Sequence, residues 1–187
     1  MSGIVILLIV VGVLALMAIG IYNTLVSLRN RVNQSFADID VQLKQRHDLI
    51  PNLVETVKGY ATHEKGTLEA VIQARNSAMA VGGGTAAQAQ AEGMLGAALG
   101  KLIALSEAYP DLKANANFQQ LQAELSDIEN KIAASRRFFN NAVNEYNTGI
   151  QQFPAVLFAG MLGFSQKTSF DLGESRATVE TVPTVKF

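Results

Sequence analysis

The stretch FQQLQAELSDIENKIAASRRFFNNAVNEYNTGI, residues 118–150, decides the fold. Its large apolar side chains are Phe118, Leu121, Leu125, Ile128, Ile132, Phe139, Val143, Tyr146 and Ile150, separated by three, four or seven positions. At about 3.6 residues per turn they share one face, so the spacing predicts a single amphipathic helix of roughly nine turns. Such a stripe needs other helices to cover it. Pro154, which cannot donate a backbone hydrogen bond, is expected to stop the helix.

Upstream, Tyr109-Pro110-Asp111 marks a turn. Leu95, Leu99, Leu102 and Leu105 predict a helix ending at Ala108, with Thr85 as its N-cap. Between residues 82 and 100, twelve of nineteen residues are Gly or Ala, and Glu92 is the only charge. Gly93 with Ala97, and Gly96 with Gly100, set small residues four apart, which suits close approach of another helix of the bundle or of a second copy. Before the glycines 82–84, a helix carrying Leu53, Val57, Tyr60, Leu68 and Val71 is expected from about Pro51 to Ala80. The preceding helix, with Leu25, Leu28, Val32, Phe36, Ile39 and Leu43, should break at residues 47–51, because proline disfavours helix in the residue before it. Four helices with short connections predict an all-α chain, an up-and-down antiparallel four-helix bundle with long helices. In that topology the glycines 82–84 and Phe153 both face the side on which the first helix begins.

The first helix begins in a different solvent. No charged side chain occurs between residues 2 and 28, and residues 4–21 are almost wholly apolar. Eighteen helical residues rise roughly 27 Å, close to a hydrocarbon core of about 30 Å. Ile4, Leu8, Val11, Leu14 and Ile21 therefore mark a transmembrane anchor, with Tyr22 at headgroup level and Arg29 and Arg31 as the first cations. A cleaved signal peptide is the rival reading, with Ala18-Ile19-Gly20 offering small residues, but the basic start is missing and the apolar run is long. Cations that follow the span and none before it put the N-terminus outside and the domain in the cytoplasm.

Residues 153–164, FPAVLFAGMLGF, form a second apolar run in a charge-free stretch from 146 to 166. Twelve residues are too few to span a bilayer. Two readings stay open: Phe153, Pro154, Leu157, Phe158 and Phe164 contact the membrane interface or a neighbouring subunit, or the run folds over the bundle's own end. The organisation expected is an anchor over 1–22, a helical bundle over 23–164, and a polar, flexible or extended tail over 165–187.

Chemistry is harder to find. The 187 residues carry a formal net charge of −1, so nothing favours nucleic acid as a partner. Without cysteine there is no disulfide framework and no zinc-thiolate site. His63-Glu64 opens like a zinc-protease motif, but Thr67 stands where its second histidine belongs. His47 reads as a cap at a helix end, where a partly cationic ring is favourable. With no phosphate-binding loop, nucleophile elbow or dinucleotide fingerprint, no catalytic residue, metal or cofactor is expected. Glu55 with Lys58, Glu64 with Glu69, and Glu129, Lys131, Arg136 and Arg137 read as solvated faces. Asn140, Asn144 and Asn147, spaced along one face, suit helix register or subunit bridging through their amides.

Residues 22–32 (YNTLVSLRNRV), 38–75, 107–124 (EAYPDLKANANFQQLQAE) and 136–163 together resemble the LemA family of bacterial membrane proteins. Ser35-Phe36 departs from the family's usual Ala-Trp. The resemblance implies an anchored helical bundle without an established enzymatic activity, of scaffold or membrane-remodelling type. From these readings comes the expectation of a non-enzymatic scaffold that self-associates as a homo-oligomer, contacts membrane lipid, and organises membrane or recruits a membrane-protein partner. An adaptor or sensor for a membrane protease or signalling partner is the alternative. A metal hydrolase using His47 and His63 stands last.

Overall fold

The computed structural model describes residues 2–83 and 86–170, and every regular element among them is helical. Helix α1 is Ser2–Lys58, α2 Lys65–Ala80, α3 Ala86–Ser106, the one-turn α4 Pro110–Lys113, and α5 Ala116–Gln151, followed by a 3-10 turn at Ala155–Leu157. The antiparallel bundle of long helices and the long final helix are as the apolar spacing predicts. Asn115 caps α5, its Oδ1 accepting from the Phe118 N–H at 3.0 Å. Thr85, expected as the α3 cap, and residues 171–187 of the tail lie outside the described residues.

The expected break at residues 47–51 does not occur. Helix α1 continues through Pro51 to Lys58, and the second helix starts only at Lys65. Proline removes the N–H that would bond the carbonyl four residues earlier, an interruption worth about 3 kcal/mol. That carbonyl belongs to His47, and Nε of Arg75 on α2 donates to it at 2.7 Å. A side chain replaces the missing backbone donor, so the helix runs on. His47 accordingly lies inside a helix rather than at its end.

The chain forms two compact units. Unit 2, residues 39–136 with Phe170 among the described residues, is built from the later part of α1, from α2, α3 and α4, and from the first part of α5. Its core gathers Ile50, Leu53, Val57, Leu68, Val71, Leu95, Leu99, Leu102, Leu112, Phe118 and Leu125. The connection at Gly82 and Gly83 belongs to this unit, with Gly83 at φ +88°, a left-handed conformation that glycine adopts without strain.

Unit 1, residues 1–38 and 137–169, holds the start of α1, the end of α5 and the segment after it. Here α1 and α5 run antiparallel. Phe36 meets Phe139 edge-on at 5.8 Å, and Arg31 pairs with Glu145 at 2.7 Å. At Gly149 a Cβ would lie 2.7 Å from Leu28 Cδ1, so any larger residue there would displace the end of the Leu28 side chain. Among the described residues α1 is the one helix long and apolar enough to cross a membrane. Its apolar end is bare: Ile4 is 68% exposed, and Leu8, Val11 and Leu14 are likewise uncovered.

Candidate functional site

The second apolar run lies in unit 1 beside the end of the apolar segment of α1. After α5 the chain passes a cis Phe153–Pro154 bond and turns through the 3-10 segment. Ala155 and Ala159 point inward, while Phe153, Val156, Leu157, Phe158, Met161 and Leu162 are exposed, Phe153 at 78% and Met161 at 87%. Phe158, Met161 and Leu162 face Ala18, Ile19, Ile21 and Tyr22 of α1 across a groove of about 320 Å³. A larger groove of about 690 Å³ runs between Met17, Ile21 and Leu25 and the end of α5 with Phe153 and Pro154. The run thus splits the two readings left open: its alanines and Phe164 close the end of unit 1, and the rest forms an apolar apron.

Phe164 is the hinge of this arrangement. Gly163, at φ +76°, turns the chain so that the Phe164 N–H reaches the Ala159 carbonyl at 2.9 Å. The ring is buried, meets Tyr22 edge-on at 5.8 Å, and carries the Arg29 guanidinium 5.3 Å from its centroid. Phe164 is therefore a packing residue and not an exposed contact, which corrects its expected place on the apron.

The next residues are strapped to α5. The Tyr146 hydroxyl donates to the Ser165 carbonyl at 2.9 Å. Asn147 accepts from the Lys167 N–H at 2.9 Å and donates from Nδ2 to the Lys167 carbonyl at 2.8 Å. Lys167 Nζ reaches Asn33 Oδ1 at 3.0 Å. Burial pushes the Tyr146 phenol above its ordinary value, against the Arg29 charge and the Ser165 hydrogen bond, so it stays a donor.

Unit 2 holds a different constellation. Arg46 of α1 and Glu92 of α3, each 2% exposed, form a buried ion pair, and Arg46 Nη1 also donates to Glu129 of α5 at 2.6 Å. His47 Nε2 lies 2.9 Å from the other Glu92 oxygen. Burial alone would raise the Glu92 carboxyl. The His47 hydrogen bond and the Arg46 and His47 charges outweigh it and hold the group below the ordinary glutamate range. Arg136 is pushed down by burial and by Arg46, with Glu129 and Glu92 opposing. One cluster therefore ties α1, α3 and α5 together.

Sequence reasoning took Glu129 and Arg136 for solvated residues and missed the cluster. The signal was present: Ile39, Leu43, Arg46, Ile50, Leu53 and Val57 keep one inward spacing of four and three, and Arg46 occupies a place meant for an apolar residue. Gln88, Glu92, Leu95, Leu99, Leu102 and Ser106 repeat the pattern on α3. Two opposite charges at inward positions are partners.

The sequence profile of the LemA family matches residues 35–187. The chain belongs to the LemA family. Magnetosome proteins MamQ 1 and MamQ 2 of Paramagnetospirillum magneticum are each 25% identical to it over 174 residues, covering 80% of this chain. The chain spans 64% of the length of these MamQ relatives. Protein LemA of Metamycoplasma hominis is 24% identical over 172 residues, with 91% of this chain and 78% of that protein covered. Membership in the LemA family and the bare apolar helix fit a membrane-anchored protein.

In this LemA-family chain the small-residue face of α3 points outward. Gly93, Ala97 and Gly100 are exposed and Gly96 is half-buried, and a Cβ at any of the three glycines would meet nothing within 4 Å. Among the described residues no other helix packs closely on that face, contrary to its reading as the bundle's own close contact. Of the three asparagines, Asn147 holds the strap, Asn144 is exposed along the larger groove, and Asn140 is half-buried. His63 is exposed in the turn between α1 and α2, while His47 is committed to Glu92. Among the described residues no three His, Asp or Glu side chains gather as a metal site requires.

Proposed function

We propose that the protein is a non-enzymatic, membrane-anchored scaffold whose unit 1 sits in the membrane interface and which self-associates to organise membrane or recruit membrane-protein partners. The carrying observation is the apolar apron beside residues 18–22 of the anchor helix. Fully burying a side chain such as Leu, Met or Phe is worth about 1.5–3 kcal/mol relative to leaving it in water. An apron of this composition at the end of a transmembrane helix is matched to the headgroup boundary, where Tyr22 also belongs. Arg29, Arg31, Lys44 and Arg46, which follow the span, favour a cytoplasmic domain in a bacterial inner membrane. The relatives MamQ 1 and MamQ 2 are magnetosome proteins, which suits an organising role.

Self-association draws on the uncovered small-residue face of α3. The same face suits a heterologous helix, and on that ground the second reading is an adaptor or sensor for a membrane protease or signalling partner. Crosslinking the full-length protein in its native membrane tests both. A ladder of self-adducts through residues 93–100 supports the scaffold, and one dominant heterologous adduct supports the adaptor. Clean monomers in a mild detergent that preserves other membrane assemblies overturn self-association.

A further inference from the structure

Cations predominate around the apron, and the one carboxylate that lines its larger groove, Glu145, is paired with Arg31. The chain has no acidic side chain before Asp38 and none between Glu145 and residue 170. Leaving the anchor, the first charge is Arg29; leaving the apron, it is Lys167. Among the described residues neither has a carboxylate partner, whereas the neighbouring Arg31 is already paired with Glu145. Unit 1 carries Arg29, Arg31, Arg137 and Lys167 against Asp38 and Glu145 up to residue 169, in a chain whose overall charge is −1.

The two unpaired cations are also placed. Phe164 links Tyr22 to the Arg29 guanidinium, so Arg29 is held just above the aromatic level that marks the interface. The headgroup layer is roughly 5–7 Å deep, within reach of an arginine side chain directed back toward it. Lys167 is fixed by the two Asn147 hydrogen bonds, and its Nζ lies at Asn33, four residues and one turn beyond Arg29 on the same face of α1. Two fixed cations on one face, above an uncovered apolar surface, complement a phosphate-bearing amphiphile.

We propose that this face of unit 1 is a docking surface for anionic phospholipid, with acyl chains against Phe153, Leu157, Phe158, Met161 and Leu162 and the phosphate at Arg29, backed by the field of Lys167. The proposal rests on the interfacial reading of the apron and adds headgroup selectivity to it. Each cation near an anionic headgroup is worth roughly a fivefold preference at moderate salt.

The test uses the full-length chain, which has no native cysteine. A Leu157→Cys variant carrying an environment-sensitive fluorophore is reconstituted into vesicles of phosphatidylcholine and phosphatidylglycerol, with one or the other lipid brominated at equal mole fraction. We expect brominated phosphatidylglycerol to quench with a severalfold higher apparent affinity, a preference that shrinks at high salt. Arg29→Gln with Lys167→Gln should bring the ratio near one while quenching by phosphatidylcholine persists. Arg31→Gln, whose native partner is Glu145, should leave the ratio unchanged. Equal quenching by both lipids in the parent overturns the selectivity while the interfacial reading stands. A probe quenched by neither lipid overturns both. Should the paired variant fail to fold, an absence of salt dependence in the parent is enough to reject the proposal.

Discussion

The two units handle charge and apolar surface in opposite ways. Unit 2 covers most of its leucines and valines and spends buried positions on Arg46, Glu92 and His47, whereas unit 1 leaves Phe153, Leu157 and Met161 uncovered and keeps its cations at the surface. In water the second arrangement is wasteful: exposed aromatic and aliphatic groups gain nothing there. The contrast makes sense if the units face different solvents. The cluster in unit 2 presupposes a well-packed, water-excluding bundle, since taking charges out of water is compensated only by good geometry. Substitutions in the two regions should therefore fail in different currencies, stability in one and lipid contact in the other.

The largest effect is expected at Glu92. Glu92→Ala leaves Arg46 buried with only Glu129 as its acidic partner, and removing one member of a buried pair typically costs about 3–5 kcal/mol. Urea unfolding in mild detergent, followed by circular dichroism, measures this; a loss below about 1 kcal/mol would place the pair among weak surface bridges. Acid probes the same group. Its folded pKa is depressed, so its contribution is full above the ordinary glutamate value and disappears as pH falls through the folded one. The unfolding midpoint should drop on that acid side, and the drop should be smaller in Glu92→Gln.

Next comes Arg75. Arg75→Ala orphans the His47 carbonyl above Pro51, and losing a hydrogen bond from a charged donor costs about 1.5–3 kcal/mol. Combining it with Pro51→Ala, which restores a backbone donor, should recover most of the loss. Failure of that rescue would mean Arg75 stabilises the bundle in some other way.

Smaller still is Tyr146→Phe. It removes one hydrogen bond to Ser165, about 1 kcal/mol, and should speed amide exchange across residues 165–169 without touching unit 2. At the low end, Phe153→Ser with Leu157→Ser should change the unfolding free energy by no more than about 0.5 kcal/mol, as expected for exposed positions. The same pair should reduce protection of residues 153–162 from exchange in lipid vesicles. A large loss of stability in detergent-free conditions would recast the apron as part of the core.

Much of the fold was legible because it depends on spacing. The apolar steps from Phe118 to Ile150 and the charge-free stretch before Arg29 determine a long helix and a segment apolar enough to cross a membrane. The misreadings came where a distant side chain overrode a local rule. Pro51 is a helix breaker by its neighbours and is not one once Arg75 arrives from α2. Glu129 and Arg136 are surface residues by composition and cluster members once Arg46 and Glu92 are brought beside them. Gly93, Gly96 and Gly100 suit a close helix of the bundle or of a second copy, and spacing alone does not say which face of α3 turns inward. On the apron, composition located residues 153–164 but not the turn at Gly163 that buries Phe164 while leaving Phe153 bare.

The dependence of α1 on Arg75 also imposes an order in time. During synthesis residue 51 leaves the ribosome well before residue 75, so the helix around Pro51 waits for a donor that does not yet exist. The anchor and the first turns beyond it need no such help. The apolar N-terminal segment can therefore form its helix while the rest of α1 is still incomplete, and the arrival of α2 is what completes it.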